Sequence, residues 1–166
     1  GADLTGSDLS GADLTRAWLT GEMKAHATSA HFTRADLTRA DLTGADLTGA
    51  DLTRAWLTDA NLTDAGLADV NLTRAWLTNA TIAGADLTRA RLVGADLIGA
   101  NLTGADLGAT IQAERLAGAR WNTETMWPDH QAAEVHAISE ELSDGTFRVR
   151  RGTQRSPVRA DPRSRS

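Results

Sequence analysis

Leucine recurs at every fifth position through the middle of this chain, at Leu52, Leu57, Leu62, Leu67, Leu72 and Leu77, with Ala or Val two positions before each. Between the small residue and the leucine stands a polar or bulky one, commonly Asp or Asn, and the two residues after the leucine are mostly Thr and then Gly, Arg, Asp or Asn. In-out-in over three residues is the two-residue period of a strand, and the following pair carries turn-forming residues. Each unit therefore reads as one short side of a coil, with Leu in the axis and Ala at the crowded corner. A helix does not fit, because at about 100° per residue a five-residue repeat walks around the cylinder by about 140° each time and leaves no coherent face.

The beat extends well beyond this stretch. A first run has centres at Leu4, Leu9, Leu14 and Leu19, a second runs unbroken from Phe32 and Leu37 through Ile82 to Leu107, and a third, after a slip of one residue, has Ile111, Leu116 and Trp121. Ser7, Val70 and Glu114 are the exceptions to Ala at the preceding small position. Thr-Arg-Ala-Trp-Leu-Thr stands at 53–58 and again at 73–78, twenty residues on, so four units close one coil. The count implies about six coils, and with strands ~4.8 Å apart the rod is about 29 Å long.

From Leu19 to Phe32 the beat breaks. Those thirteen residues hold either three units shortened by two residues, centred near Met23 and Ala27, or two units with a three-residue insertion. The shortened form is preferred, because it keeps Arg16, Arg34, Arg54 and Arg74 on one ladder with Trp18, Asp36, Trp56 and Trp76 beside it. Glu22, Lys24 and His26 then occupy a distorted corner, a kind of irregularity that can mark a contact site.

Tandem A(D/N)Lxx units over residues 1–121 resemble the pentapeptide repeat family. The resemblance implies a right-handed quadrilateral parallel β-helix, an all-β solenoid with the centre and Ala positions facing inward. Some members, notably quinolone-resistance proteins, are DNA-shaped inhibitors of DNA gyrase, and this chain looks like them in repeat and rod shape. It departs from them in having Leu rather than Phe at most centres.

Beyond Trp121 the repeat ends, giving three expected regions: the β-helix at 1–121, a cap and helix at 122–146, and a basic, disordered tail at 147–166. Trp121, Met126 and Trp127 are candidates to cover the end of the core. Asp129 is placed to cap a helix through Leu142, with Ala132, Val135, Ile138 and Leu142 at helical spacing. Ser143–Thr146 reads as a turn, and residues 147–151 as one short strand. The chain opens at Gly1 inside a repeat without an initiator Met, as expected of a fragment or a trimmed chain.

Composition narrows the chemistry. In 166 residues there is no Cys, which excludes a disulfide framework, a thiolate metal site and a cysteine nucleophile. No apolar run approaches the ~20 residues that span a bilayer, and there is no leader, so the expectation is a cytoplasmic protein without a membrane association. His26 and His31 fall on adjacent sides with no third ligand nearby, so no metal or other cofactor is expected. The filled rod offers carboxylates but no concave pocket to separate their pKa values, and no phosphate loop or serine elbow is present, so the chain is not expected to be an enzyme.

Function is then expected at the surface. Arg16, Trp18, Arg34, Arg54, Trp56, Arg74 and Trp76 form a candidate binding stripe for a protein partner, since Arg and Trp are enriched at interface hot spots. The alternative is an acidic face of Asp8, Asp46, Asp86 and Asp106 that mimics DNA toward a topoisomerase, with the rod itself binding no nucleic acid. Charge limits that alternative: 1–121 holds fifteen acidic and ten basic residues, whereas duplex DNA has one charge per ~1.7 Å. Residues 122–146 hold six acids and no base, and 147–166 seven Arg and one Asp. The helix is also a candidate element for a homodimer.

Overall fold

A computed structural model describes residues 6–17, 19, 27–108 and 111–150. Its repeating element is a turn followed by a single bridged residue. In each unit the N–H of the Ala bonds to the carbonyl of the preceding centre, as Ala55 does to Leu52 at 3.0 Å. The residue before that Ala holds a positive φ, between 56° and 59° wherever it is not Gly. This is the signature of a type II turn, which is why Gly, Asn, Asp and, at higher cost, Arg occupy the position.

Successive coils are joined by backbone hydrogen bonds. Leu52 donates to Asn71 (2.8 Å), Arg54 to Thr73 (3.0 Å), and Asn71 back to Ala50 (2.9 Å). Bridges run in parallel at intervals of twenty, among them Asp41 to Asn61 to Thr81 to Asn101, and Asp46 to Gly66 to Asp86. One pair of sides is regular enough to form strands, β1 (Asp86–Leu87) and β2 (Asp106–Leu107), paired in register. Centres from Phe32 to Leu107 and the Ala between them are buried and form one continuous core. Each buried Leu contributes roughly 1.5–3 kcal/mol relative to exposure, and the small Ala lets the corner close.

The outward Asp and Asn serve the turns. Oδ1 of Asp36, Asp46, Asp51, Asn61 and Asp86 each accepts a hydrogen bond from the backbone N–H two residues on, at 2.9–3.1 Å. These side chains thus hold the corner in place while facing solvent.

The break in the beat differs from the preferred reading. Asp8 bridges His31 and Asp13 bridges Asp36, an offset of 23, while Ala27 donates to Asp46 as a normal centre at an offset of twenty. Leu19 lies over Leu42, donating to Asp41. The three extra residues therefore fall between Leu19 and Ala27, as an insertion in one unit. Ala27 is a buried centre, as expected; Met23 and the corner residues Glu22, Lys24 and His26 lie outside the described residues.

The far end also differs. The one-residue slip is real, with Leu97 donating to Arg115 and Leu102 to Arg120. The coil does not stop at Trp121, because Met126 bridges Asp106 and Leu107 donates to Met126, placing Trp127 under Leu107 as a further centre. Met126 faces solvent and does not cover the core. A 3₁₀ turn spans Ala113–Leu116. Then β3 (Arg120–Trp121), which continues the Asn101 ladder, pairs antiparallel with β5 (Phe147–Val149), and β5 with β4 (Ser139–Glu141). The basic segment drawn from 147 onward thus begins as the central strand of this sheet; residues 151–166 lie outside the described residues.

The helix expected from Asp129 to Leu142 is shorter, α1 (Ala132–Ala137), with Gln131 as its N-cap. Gln131 is buried and pairs with both backbone groups of Ile111. Ser139 ends it: its hydroxyl accepts from Trp121 Nε1 (2.9 Å) and donates to the Val135 carbonyl (2.7 Å), and the chain then leaves as β4. Trp121 stacks on Phe147 with ring centroids 4.4 Å apart, which closes the core under the sheet. The turn at 143–146 forms as expected, with Asp144 Oδ1 accepting from the Thr146 N–H at 3.0 Å.

Candidate functional site

The coil arithmetic sorts the turn residues into four vertical columns. Gly11, Arg34, Arg54, Arg74 and Gly94 make one, since each donates to the residue just before the next. Arg16, Arg39, Asp59, Asn79 and Gly99 make the second; Ser29, Gly49, Asp69 and Arg89 the third; Gly44, Asp64, Gly84 and Gly104 the fourth. Arg16 is therefore one corner away from Arg34, and the four-arginine ladder becomes a ladder of three. The insertion is the physical reason, since two units with extra residues supply one side fewer than three shortened units would. Trp18 lies outside the described residues; its neighbours Ala17 and Leu19 pair with Asp41, not Asp36.

Charges in these columns are not treated alike. In the second column Arg39 Nε stands 3.5 Å from Asp59 Oδ2, and Asn79 donates to Asp59 at 3.3 Å. In the third, Arg89 grips Asp69 with two bonds of 2.6 and 2.7 Å. Those bonds are the main cause holding the Asp69 pKa below the ordinary carboxylate value. In the first column Arg34, Arg54 and Arg74 have no acid above or below, and among the described residues none of them makes an ion pair. Adjacent like charges at coil spacing cost up to roughly 1 kcal/mol per pair in water before screening. Each Arg also holds φ near 58°, a conformation costing a non-Gly residue about 1–2 kcal/mol.

Beside this column the next side of the coil carries Asp13, Asp36, Trp56, Trp76 and Asp96, bridged in that order. The two indoles stack on each other and remain 42% and 39% exposed. A shallow trough of about 550 Å³ runs along the arginine column, lined by the Thr-Arg pairs at 33–34, 53–54 and 73–74 and ending at Val93, which is 70% exposed. Val93 occupies a place usually held by Thr, and its spacing in the sequence would have put it there. Of the acidic candidates, Asp46, Asp86 and Asp106 share one side, with Gly66 between them, whereas Asp8 sits on another, over His31.

His31 lies between Asp8 and Asp51 on its ladder, and His136 packs against Trp121 and Phe147. Among the described residues there is no cluster of three or more His, Asp or Glu able to hold a metal, and no helix long and apolar enough to cross a membrane.

The fold and its turn columns define a parallel β-solenoid of five-residue units whose most variable positions face outward. The sequence model for pentapeptide repeats matches eight copies, over residues 1–21, 28–64, 45–84 and 71–108, and the chain belongs to the pentapeptide repeat family. Among solved structures it is similar to a pentapeptide repeat protein from the Arabidopsis thaliana thylakoid lumen (27% identity, 87% of this chain and 83% of that one, TM-score 0.47). It is also similar to the pentapeptide repeat protein Rfr23 from the cyanobacterium Cyanothece 51142 (26%, 76% and 91%, 0.40) and to QnrB1, a plasmid-mediated fluoroquinolone resistance protein (18%, 81% and 84%, 0.32). No curated protein sequence matches the chain.

Proposed function

We propose that the protein is a non-enzymatic, cytoplasmic interaction module that captures a protein partner along the side formed by Arg34, Arg54, Arg74, Trp56 and Trp76, on a right-handed rod of about six coils. The observation that carries this reading is the pairing of an arginine column lacking acidic partners with a stacked, half-exposed indole pair. Both residue types concentrate binding energy at interfaces. Large exposed aromatics on one side of a rod are otherwise a solubility liability. The test is capture of partners from the native host by wild-type protein and by Trp56→Ala/Trp76→Ala. Loss of a specific band with an unchanged circular dichroism spectrum supports the reading, and equal capture refutes it.

The second reading is inhibition of a DNA topoisomerase by the acidic side, favoured by the common ladder of Asp46, Asp86 and Asp106. Three carboxylates spread over about three coil spacings are sparse beside one phosphate per ~1.7 Å of duplex. Asp46 and Asp86 are also engaged in their own turns. A gyrase supercoiling assay decides it: no inhibition at micromolar protein removes this reading. A homodimer through α1 would have to use exposed Ala132, Ala133, Glu134, His136 and Ala137, because Val135 packs into the core.

A further inference from the structure

Resting on the interaction reading, we infer the chemistry of the partner: an extended acidic peptide segment, lying along the rod axis, whose carboxylates meet Arg34, Arg54 and Arg74 and whose apolar side chains rest on the Trp56–Trp76 pair and on Val93. The inference starts from what the other columns do. Wherever this protein places Arg at a corner beside an acid one coil away, the pair forms, as with Arg39 and Asp59 and with Arg89 and Asp69. The first column repeats Arg on three consecutive rungs and supplies no acid of its own. Three arginines lining one trough are matched by carboxylates, which accept from Arg in a two-pronged geometry.

The spacing fits a strand. Rungs are ~4.8 Å apart, and alternate side chains of an extended peptide are about 6.8 Å apart, so long Arg side chains need splay only about 2 Å per rung to follow them. Residues between the acids then point elsewhere. Those nearest the ends and the flank find Val93 below the column and the indole pair beside it. Asp36 and Asp96 stand directly above and below the indoles, with Asp13 beyond, and the opposite ladder carries His31, Asp51 and Arg91, so an anionic ligand is confined to the arginine column and only uncharged side chains suit the Trp faces.

The experiment measures fluorescence anisotropy of three labelled probes with the intact protein: a peptide of about nine residues alternating Glu with Leu and Val, the same peptide with Lys for Glu, and an oligothymidylate of about twenty nucleotides. Arg34→Gln/Arg54→Gln/Arg74→Gln is compared with Arg39→Gln/Arg89→Gln/Arg120→Gln, which removes the same charge from arginines that are already paired. Expected is binding of the acidic peptide only, weakened about tenfold or more by the first set and less than about twofold by the second. No binding of the acidic peptide up to about 1 mM, or equal loss in both sets, overturns the proposal. So does tighter, Arg34/Arg54/Arg74-dependent binding of the oligonucleotide, which would assign the column to nucleic acid. If the acidic peptide fails while Trp-dependent capture of a host protein persists, this chemistry is wrong and the interaction reading stands.

Discussion

Trp56 and Trp76 stand one coil apart with their indole rings nearly parallel, centroids 5.6 Å apart and planes inclined by 12°. The backbone dictates this: Trp56 and Trp76 bridge each other, so both side chains leave the same side of the rod at the same angle. Such a pair is worth about 0.5–1.5 kcal/mol beyond its burial. A double-mutant cycle with Trp56→Ala and Trp76→Ala, read by urea denaturation, is expected to return a coupling of that size. The circular dichroism spectrum should remain that of the folded rod, since neither indole belongs to the core. A coupling near zero would mean that the rings do not stack in solution.

The axis is far less tolerant. Leu62 is 1% exposed, held between Leu42 and Ile82 on the neighbouring rungs. Leu62→Ala is expected to cost about 2–5 kcal/mol, and Leu62→Asp, which buries an unpaired charge, to abolish cooperative unfolding altogether. Thermal melts followed by circular dichroism distinguish the two. A well-folded Leu62→Asp protein would contradict the filled axis.

Two glycines separate backbone strain from crowding. At Gly11 φ is +71° and a Cβ would meet nothing within 4 Å, so Gly11→Ala should cost only the strain, about 1–2 kcal/mol. At Gly108 a Cβ would lie 2.5 Å from the Arg89 backbone nitrogen and 2.8 Å from the Thr88 Cα, neither able to step aside. Gly108→Ala is expected to be clearly the more damaging. Midpoints of urea denaturation rank the two variants, and the reverse order would refute the packing of the last rungs.

Acid should loosen the rod. Burial raises the pKa of Asp51, but hydrogen bonds from Thr53 and Thr33, helped by the charge of His31, outweigh it and hold the group below its ordinary value. Asp8 and Asp13 are lowered chiefly by the hydroxyls of Ser10 and Thr15, Asp69 by Arg89, and Asp144 by Thr146. With the folded pKa depressed, the unfolded chain binds protons first. The stabilisation is complete above the ordinary value of 3.8 and is lost as pH falls through it toward the folded value. Melting temperature should therefore decline below about pH 4, modestly, because most of these carboxylates are exposed to solvent. Asp51→Asn, which preserves the turn acceptor as Asn61 does, should flatten part of that limb. An unchanged limb would assign acid sensitivity to other groups.

The five-residue period, the inward Leu and Ala and the turn at each corner were legible because each unit repeats its own local chemistry many times. What the sequence did not reveal is phase. Either closure between Leu19 and Phe32 leaves Leu on Leu, so the core pattern is indifferent to whether Arg16 stands over Arg34 or Arg39, and only the pairing of Asp13 with Asp36 decides it. The cap departs from its sequence pattern for a related reason. Helical spacing of Val135, Ile138 and Leu142 is genuine in the sequence, yet Ser139 bonds to Trp121 and β4 pairs with β5, so tertiary contacts override it. Trp127 as a centre was hidden because its unit has six residues, with buried Thr125 in place of Ala and its hydroxyl on the Leu102 carbonyl.

The positive φ at each corner has an outcome for change over time. Where a corner side chain makes no bond to the next coil, as at Arg54, it contributes to the axis and to the stacking of coils only through its backbone, so exchanging Arg54 for Gly removes a charge from the arginine column and relieves strain in one step. Such a variant should keep its fold, and gain a few tenths of a kcal/mol to about 1 kcal/mol. At the unpaired corners the surface of this rod can therefore be rewritten over a fixed scaffold: a change to glycine there relieves strain and leaves the axis and the bonds between coils intact.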